Sequence, residues 1–417
     1  MSMFSRFGVA GVAVVLLLCS GGRTVFADEA PAKPPMVEQY VNSGRLAEGE
    51  LALRAHLKHN PRDDEARFGL GTLQFVRSVE RLAQSLHHYG LRHRIQVVPF
   101  LRMPVGPNAS PEPINYEEFR LIFHTFSVDL MRVESTLAEI RDPKVKLRLH
   151  FAQIRMDVNG DGKAQPEESL WKMYARLNRR AGVTEETAQK LVIAFDKGDV
   201  HWLRGYCHLL AAFCDTILAY DMKELFESTG HVFFPEIESP HAHLRWQTDE
   251  RRDWTFEIAD AVAAIHLCRF EVREPHRLQS AHTHLIAVVD QSRLSWKAIQ
   301  AEADDEFEWV PNAQQTGVIP GVRVTQEMID GWHEFLDEFA AILNGEKLLP
   351  HWRVMDGRGI NLKRVFAEPR TFDLVLWAQG SAATPYLEKG ELTQPETWMR
   401  LNRVFRGEFI GFAIWFN

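Results

Sequence analysis

Residues 157–168 read Asp-Val-Asn-Gly-Asp-Gly-Lys-Ala-Gln-Pro-Glu-Glu. Asp157, Asn159 and Asp161 put side-chain oxygens at every second position, and Gly160 and Gly162 permit sharp turns between them. Such a stretch can be neither helix nor strand, so it fixes a loop. Apolar residues recur on both sides of it: first Leu147, Leu149, Phe151, Ala152, Ile154 and Met156, then Leu170, Met173, Tyr174 and Leu177. The pattern predicts helix, loop, helix. Asn-Gly-Asp-Gly turns form without any metal, and a plain turn between two helices is one reading of the stretch.

The spacing resembles the calcium-binding loop of the EF-hand family over these twelve residues and the two flanking segments. Ca²⁺ is a hard cation that takes six to eight oxygen ligands. The resemblance implies side-chain oxygens from Asp157, Asn159 and Asp161, and the backbone carbonyl of Lys163. It also implies Gln165, directly or through a water, and a bidentate carboxylate from Glu168, with Gly162 at the sharp turn. Two departures stand out. Ala164 occupies the position where paired hands carry a larger aliphatic residue that bridges two loops, and the chain holds no second loop of this pattern. The implied arrangement is a lone hand supported by other helices. Three of its ligands carry formal charge, so the expected dissociation constant is roughly 10⁻⁵ to 10⁻³ M.

Residues 1–27 have the pattern of a signal peptide: Arg6, an apolar run from Gly8 to Cys19, and Val25-Phe26-Ala27 before a cleavage point. The mature chain is expected to begin near Asp28 outside the cytoplasm, where calcium can be millimolar and weak hands work. An uncleaved anchor is the alternative; Leu18 before Cys19 disfavours a lipoprotein. No later segment has the length and apolarity of a membrane span. Cleavage removes Arg6 and Arg23 and no acid, taking the formal charge from −8 to −10. That charge argues against a nucleic-acid partner, which would want a basic stripe. Cys207, Cys214 and Cys268 remain; the first two lie about 10 Å apart on one helix and cannot pair. Buried free thiols are expected, with a bridge through Cys268 left open.

Residues 28–36 read as a Pro-rich leader. In 37–94, Tyr40, Gly44, Arg45, Leu46, Ala52, Leu53, Leu57, Pro61, Ala66, Leu70 and Gly71 resemble a tetratricopeptide repeat and the start of another. An ordinary helical hairpin is the alternative. Five prolines make 95–114 an extended connector, and 115–230 reads as helices around the loop. In 231–417 helices are expected near 252–271, 277–300, 325–344 and 394–406, the last with a Thr393–Glu396 capping box. Residues 350–366 read as a hairpin turning at Asp356-Gly357. The class is mainly α with a few short strands.

Other constellations carry chemistry. His201, Arg204, His208 and Asp215 share one stripe of a helix near 199–220, either a metal or acid–base site or the wet line of a nearly buried helix. His241 and His243 fall in a loop, and His282 and His284 on a helix where their rings diverge. Asp304, Asp305, Glu306 and Glu308 read as a solvated surface. Eleven tryptophans, all from Trp171 onward, suit either core packing or a sugar-binding cleft. The favoured reading is an exported helical protein that binds one Ca²⁺ for stability or control, without demonstrable catalysis, whose N-terminal helices could add a protein-contact surface. The alternative is a metal-dependent or carbohydrate-active hydrolase using the His201/His208/Asp215 face or a Trp-lined cleft.

Overall fold

The computed structural model describes residues 34–92, 105–177, 184–241, 243, 254–306, 308–318, 323–407 and 409–416. The signal-peptide segment and the first half of the connector, residues 95–104, lie outside the described residues. Among those described, the chain is mainly α with short strands, as the sequence predicts.

Three N-terminal helices open the fold: α1 (Glu38–Ser43), α2 (Leu46–His59) and α3 (Asp64–His88). Gly44 ends α1 in the left-handed conformation, φ 69°, which glycine adopts without a Cβ penalty. Asp63 caps α3 by accepting the N–H of Ala66. Helix α4 (Tyr116–Ala138) begins with a reciprocal capping box between Asn115 and Glu118.

Next come β1 (Leu147–Leu149), the loop, α5 (Leu170–Leu177), α6 (Glu185–Lys190) and β2 (Ile193–Phe195). The long helix α7 (Lys197–Ala219) follows, capped by Asp196. After it lie β3 (Tyr220–Asp221), α8 (Lys223–Thr229), α9 (Trp254–Leu267), β4 (Arg269–Val272) and α10 (Pro275–Ile299). Helix α11 (Gln326–Leu343) leads to a small C-terminal region holding β5 (Lys347–Leu348), β6 (Arg358–Ile360), α12 (Leu362–Ala367), β7 (Phe372–Asp373), α13 (Leu374–Gln379), β8 (Leu387–Lys389) and β9 (Glu391–Leu392). Helices α14 (Pro395–Val404) and α15 (Phe409–Phe416) close the chain.

The helices lie side by side in the order α2, α3, α4, α7, α10, α11. One hydrophobic core runs through them, from Val37 and Leu53 through Val133, Tyr206 and Trp296 to Trp332 and Phe416. The segments read as separate from the sequence therefore share one core. Two satellite clusters sit outside it, one around Tyr220 and Phe270, the other around Ile360 and Tyr386. No helix among the described residues is long and apolar enough to cross a membrane.

Several elements differ from the sequence reading. No helix enters the loop. Leu147 and Leu149 alternate with Arg148 and His150, a period of two, and β1 pairs antiparallel with β2. A single 3₁₀ turn, Phe151–Gln153, replaces the rest of the expected helix. The helix expected near 252–271 stops at Leu267, and Arg269–Val272 becomes the central strand of the order β3-β4-β7. The hairpin near 350–366 exists only at its base, where Leu349 and Ile360 exchange backbone hydrogen bonds of 2.9 and 2.8 Å. Beyond it Asn361 caps α12, so the second arm is helical. Thr393 does not cap α14, whose N-cap is Gln394; its hydroxyl instead accepts from the Trp398 indole at 3.0 Å.

Candidate calcium site

The loop is wound around the carboxylate of Asp157. Its Oδ1 accepts the N–H groups of Gly160 at 2.8 Å and Asp161 at 3.1 Å, and its Oδ2 accepts that of Gly162 at 2.9 Å. Gly160 and Gly162 have φ of 75° and 84°, the left-handed region that glycine enters freely. The winding continues in steps: Asn159 Oδ1 accepts from Asp161 N, and Asp161 Oδ1 from Lys163 N, both at 2.8 Å. The Lys163 side chain is exposed.

Glu168 closes the loop from within. It is buried; its Oε1 accepts from Val158 N at 3.2 Å and its Oε2 from Gln165 N at 2.8 Å. Burial raises its pKa, and the charges of Asp157 and Asp161 add to the rise. Each carboxylate oxygen has two lone pairs, so one N–H apiece leaves room for a cation. The loop's carboxylates do not draw together into a set within 4.8 Å of one another; among the described residues Asp196, Glu302 and Glu308 do that.

The loop packs on the N-terminal helices rather than on a second loop. Glu80 of α3 accepts the N–H of Asp157 at 2.8 Å, and Gln84 donates to the Asp157 carbonyl at 2.7 Å. Arg155 N donates to the Val41 carbonyl at 2.9 Å. A Cβ placed on Gly44 would collide with that of Ala164. The small residue at this loop position, a departure from paired hands, is therefore what lets the loop lie against the end of α1. Glu80 and Gln84 are absent from the sequence reading because nothing local ties α3 to the loop. One signal existed: Glu80 is an acid in line with Val76 and Ala83, both buried. Burial raises the Glu80 pKa to about 7, with the charges of Asp157 and Glu168 adding to it.

The His201/Arg204/His208/Asp215 stripe is not a solvent-facing line. Helix α7 is covered there by α4 and α10, because complementary groups on both neighbours satisfy each polar side chain. His201 Nδ1 pairs with Gln291 at 2.8 Å, and Arg204 donates to Glu134 at 2.7 Å. The Nδ1 atoms of His208 and His284 stand 2.9 Å apart, one donating and one accepting. Arg277 donates to Asp215 at 2.8 Å and to Glu274 at 2.6 Å. Glu134 is pushed down to about 2, by His208 first and Arg204 with it. Burial, with His208 beside it, lowers the His284 pKa. The charges alternate along a closed line. No cavity at Tyr220–Tyr386, Asp330–Thr397 or Ser78–Asp129 opens on it.

The remaining candidates separate. His282 Nε2 donates to the Leu343 carbonyl at the end of α11 at 2.8 Å, while His284 turns to His208, so the pair diverges. His241 and His243 place their ring centroids 6.2 Å apart in a loop. Trp171, Trp202, Trp296, Trp309, Trp332 and Trp415 are buried in the core, which is the packing use rather than a cleft. Cys207, Cys214 and Cys268 are free, so the bridge through Cys268 does not form among the described residues.

The acidic run is not simply a wet surface. Asp304 and Glu306 pair with Lys146, and Glu306 with Arg148. Glu308 is buried beside Asp196 and Glu302. Burial raises Glu308 to about 7 and also raises Glu302, which shares a hydrogen bond with Asp196.

No family model, curated protein or solved structure matches this chain.

Proposed function

We propose that the protein binds one Ca²⁺ in the loop Asp157–Glu168 and that the ion fastens the β1–α5 segment to the N-terminal helices. The observation that carries this reading is the coiling of three consecutive N–H groups onto the Asp157 carboxylate, with Glu168 buried at the far end of the same loop. The ligand set is Asp157, Asn159, Asp161, the Lys163 carbonyl, Gln165 and Glu168. A divalent cation offsets the repulsion that the Asp157 and Asp161 charges exert on Glu168. The missing entering helix is replaced by β1, and the missing partner loop by α1 and α3.

Calcium here acts on stability: an ion that binds only the folded state stabilises it by mass action. Export, read from residues 1–27, would supply millimolar calcium to a weak site, and the N-terminal helices it anchors offer the surface for a protein partner. The hydrolase reading has less support, since the stripe ends in ion pairs rather than in a cavity. Calorimetric titration of the mature protein with CaCl₂ tests the proposal. One site with a dissociation constant of roughly 10⁻⁵ to 10⁻³ M is expected. No heat of binding up to about 10 mM calcium, well beyond that range, would remove it.

A further inference from the structure

A cavity of about 250 Å³ lies where the two satellite clusters meet. Its walls are aromatic: Tyr220, Phe372, Trp377 and Tyr386. The rings are held by their neighbours. Trp377 stacks on Tyr386 with centroids 5.9 Å apart and planes 8° apart, and Phe372 stacks on Phe270 at 5.9 Å and 13°. The Tyr386 hydroxyl is fixed to the Glu368 carbonyl at 2.9 Å. A space this small, below the common range for drug-sized ligands, suits a single ring.

Two polar groups on this cavity lack protein partners. Arg370 is exposed at the rim; its backbone hydrogen-bonds the Tyr386 hydroxyl, while its guanidinium makes no hydrogen bond to a described residue. Its neighbour Arg364 is engaged, donating to Glu368 at 2.7 Å and to Glu388 at 3.0 Å, so the acid within Coulomb reach of Arg370 is already taken. Tyr220 is only 9% exposed, yet its hydroxyl makes no hydrogen bond to a described residue. The hydroxyls of Tyr116 and Tyr386 have protein partners, and that of the fully buried Tyr206 has none.

We propose that this cavity binds a monocyclic aromatic carboxylate. Its ring packs on the aromatic walls, its carboxylate accepts the forked guanidinium of Arg370, and an oxygen on the ring accepts the Tyr220 hydroxyl. An aromatic cavity alone would take any small apolar ring. The unpaired guanidinium selects the acid, and the unpaired phenol selects a ring bearing an acceptor.

The test is fluorescence titration of the whole protein with 4-hydroxybenzoate, benzoate, p-cresol and glucose. The expected order is 4-hydroxybenzoate tightest, benzoate a few-fold weaker, and p-cresol, which lacks the carboxylate, about tenfold weaker or more; tenfold corresponds to about 1.4 kcal/mol. Arg370→Gln should weaken 4-hydroxybenzoate by a similar factor and leave p-cresol unchanged. Tyr220→Phe should bring 4-hydroxybenzoate down to the level of benzoate without moving benzoate. Arg370 is exposed, so its variant should melt as wild type does, and a lost fold cannot imitate lost binding. No saturable binding of 4-hydroxybenzoate, equal binding of p-cresol, preference for glucose, or wild-type affinity in Arg370→Gln would each overturn the proposal.

Discussion

The side chain of Glu80 accepts the backbone N–H of Asp157 at 2.8 Å, joining the middle of α3 to the first residue of the 157–168 loop. Gln84, one helical turn further along, donates to the carbonyl of that same Asp157 at 2.7 Å. Both backbone groups of the residue around which the loop winds are thus held by a helix far away in sequence. The N-terminal helices and the loop form one mechanical unit. What disturbs one should register in the other.

Glu80→Ala should destabilise the calcium-free protein by about 1–3 kcal/mol, the cost of a buried N–H left without its acceptor. Glu80→Gln keeps an acceptor and should cost clearly less. Urea unfolding of both variants in EDTA gives the comparison. Equal losses in the two would show that the Asp157 N–H does not depend on the acceptor at this position.

Within the loop, Glu168→Gln should weaken calcium binding most, because it removes a charge and the bidentate clamp together. Asp157→Ala should come next, and it should also loosen the loop without calcium, since three N–H groups lose their acceptor. Lys163→Ala should change little. Wild type should gain about 2.7 kcal/mol when free calcium is a hundredfold above the dissociation constant. Calorimetry and thermal unfolding of the four proteins decide it; wild-type affinity in Glu168→Gln would refute the ligand assignment.

The helices legible in the sequence were those with long apolar periodicity and clear ends, such as α10 and α11, whose bounds fall within a residue or two of expectation. The loop was legible because its chemistry is local: turns, oxygens and spacing lie in twelve consecutive residues. The entering strand was missed because Leu147 to Met156 mixes a period of two with a later helical spacing, and its pairing with β2 is set by residues far along the chain. Glu80 and Gln84 were missed for the same reason. The stripe on α7 was visible as a stripe, but its burial depends on Glu134, His284 and Arg277 arriving from other helices. A polar line on an apolar helix looks the same from sequence whether water or two neighbouring helices satisfy it.

That difference changes what His208→Ala should do. A solvent-facing histidine could be removed for about 0.5 kcal/mol or less. Here the change leaves His284 Nδ1 without its partner and opens space between α7 and α10. A loss of about 1–3 kcal/mol is expected, with calcium affinity unchanged, since the loop lies elsewhere. Chemical unfolding and calorimetry of the variant measure both. A shift below half a kcal/mol would return the stripe to the surface.

The buried acids at the start of α7 should make stability fall as pH rises. Asp196, Asp199, Glu302 and Glu308 crowd together there, and burial raises the pKa of Asp199, Glu302 and Glu308, the last to about 7. The cations nearby, Lys146 just before β1 and Arg148 on it, are engaged by Asp304 and Glu306. An acid with a raised folded pKa holds its proton after the unfolded chain has released it. The unfolded state then binds fewer protons, so stability declines with pH. For Glu308 the contribution is intact below about 4.5 and is lost as pH rises through about 7. Glu308→Gln keeps an oxygen for the Glu306 N–H that Glu308 accepts at 3.0 Å and cannot ionise. Its unfolding free energy relative to wild type, followed by urea titration in EDTA, should therefore be near or below zero at pH 5 and should rise toward pH 8. Taking the difference cancels Glu80 and the histidines, which titrate in both proteins. A difference that stays flat from pH 5 to pH 8 would mean that Glu308 is already ionised in the fold at pH 5, and that the cluster does not hold its protons.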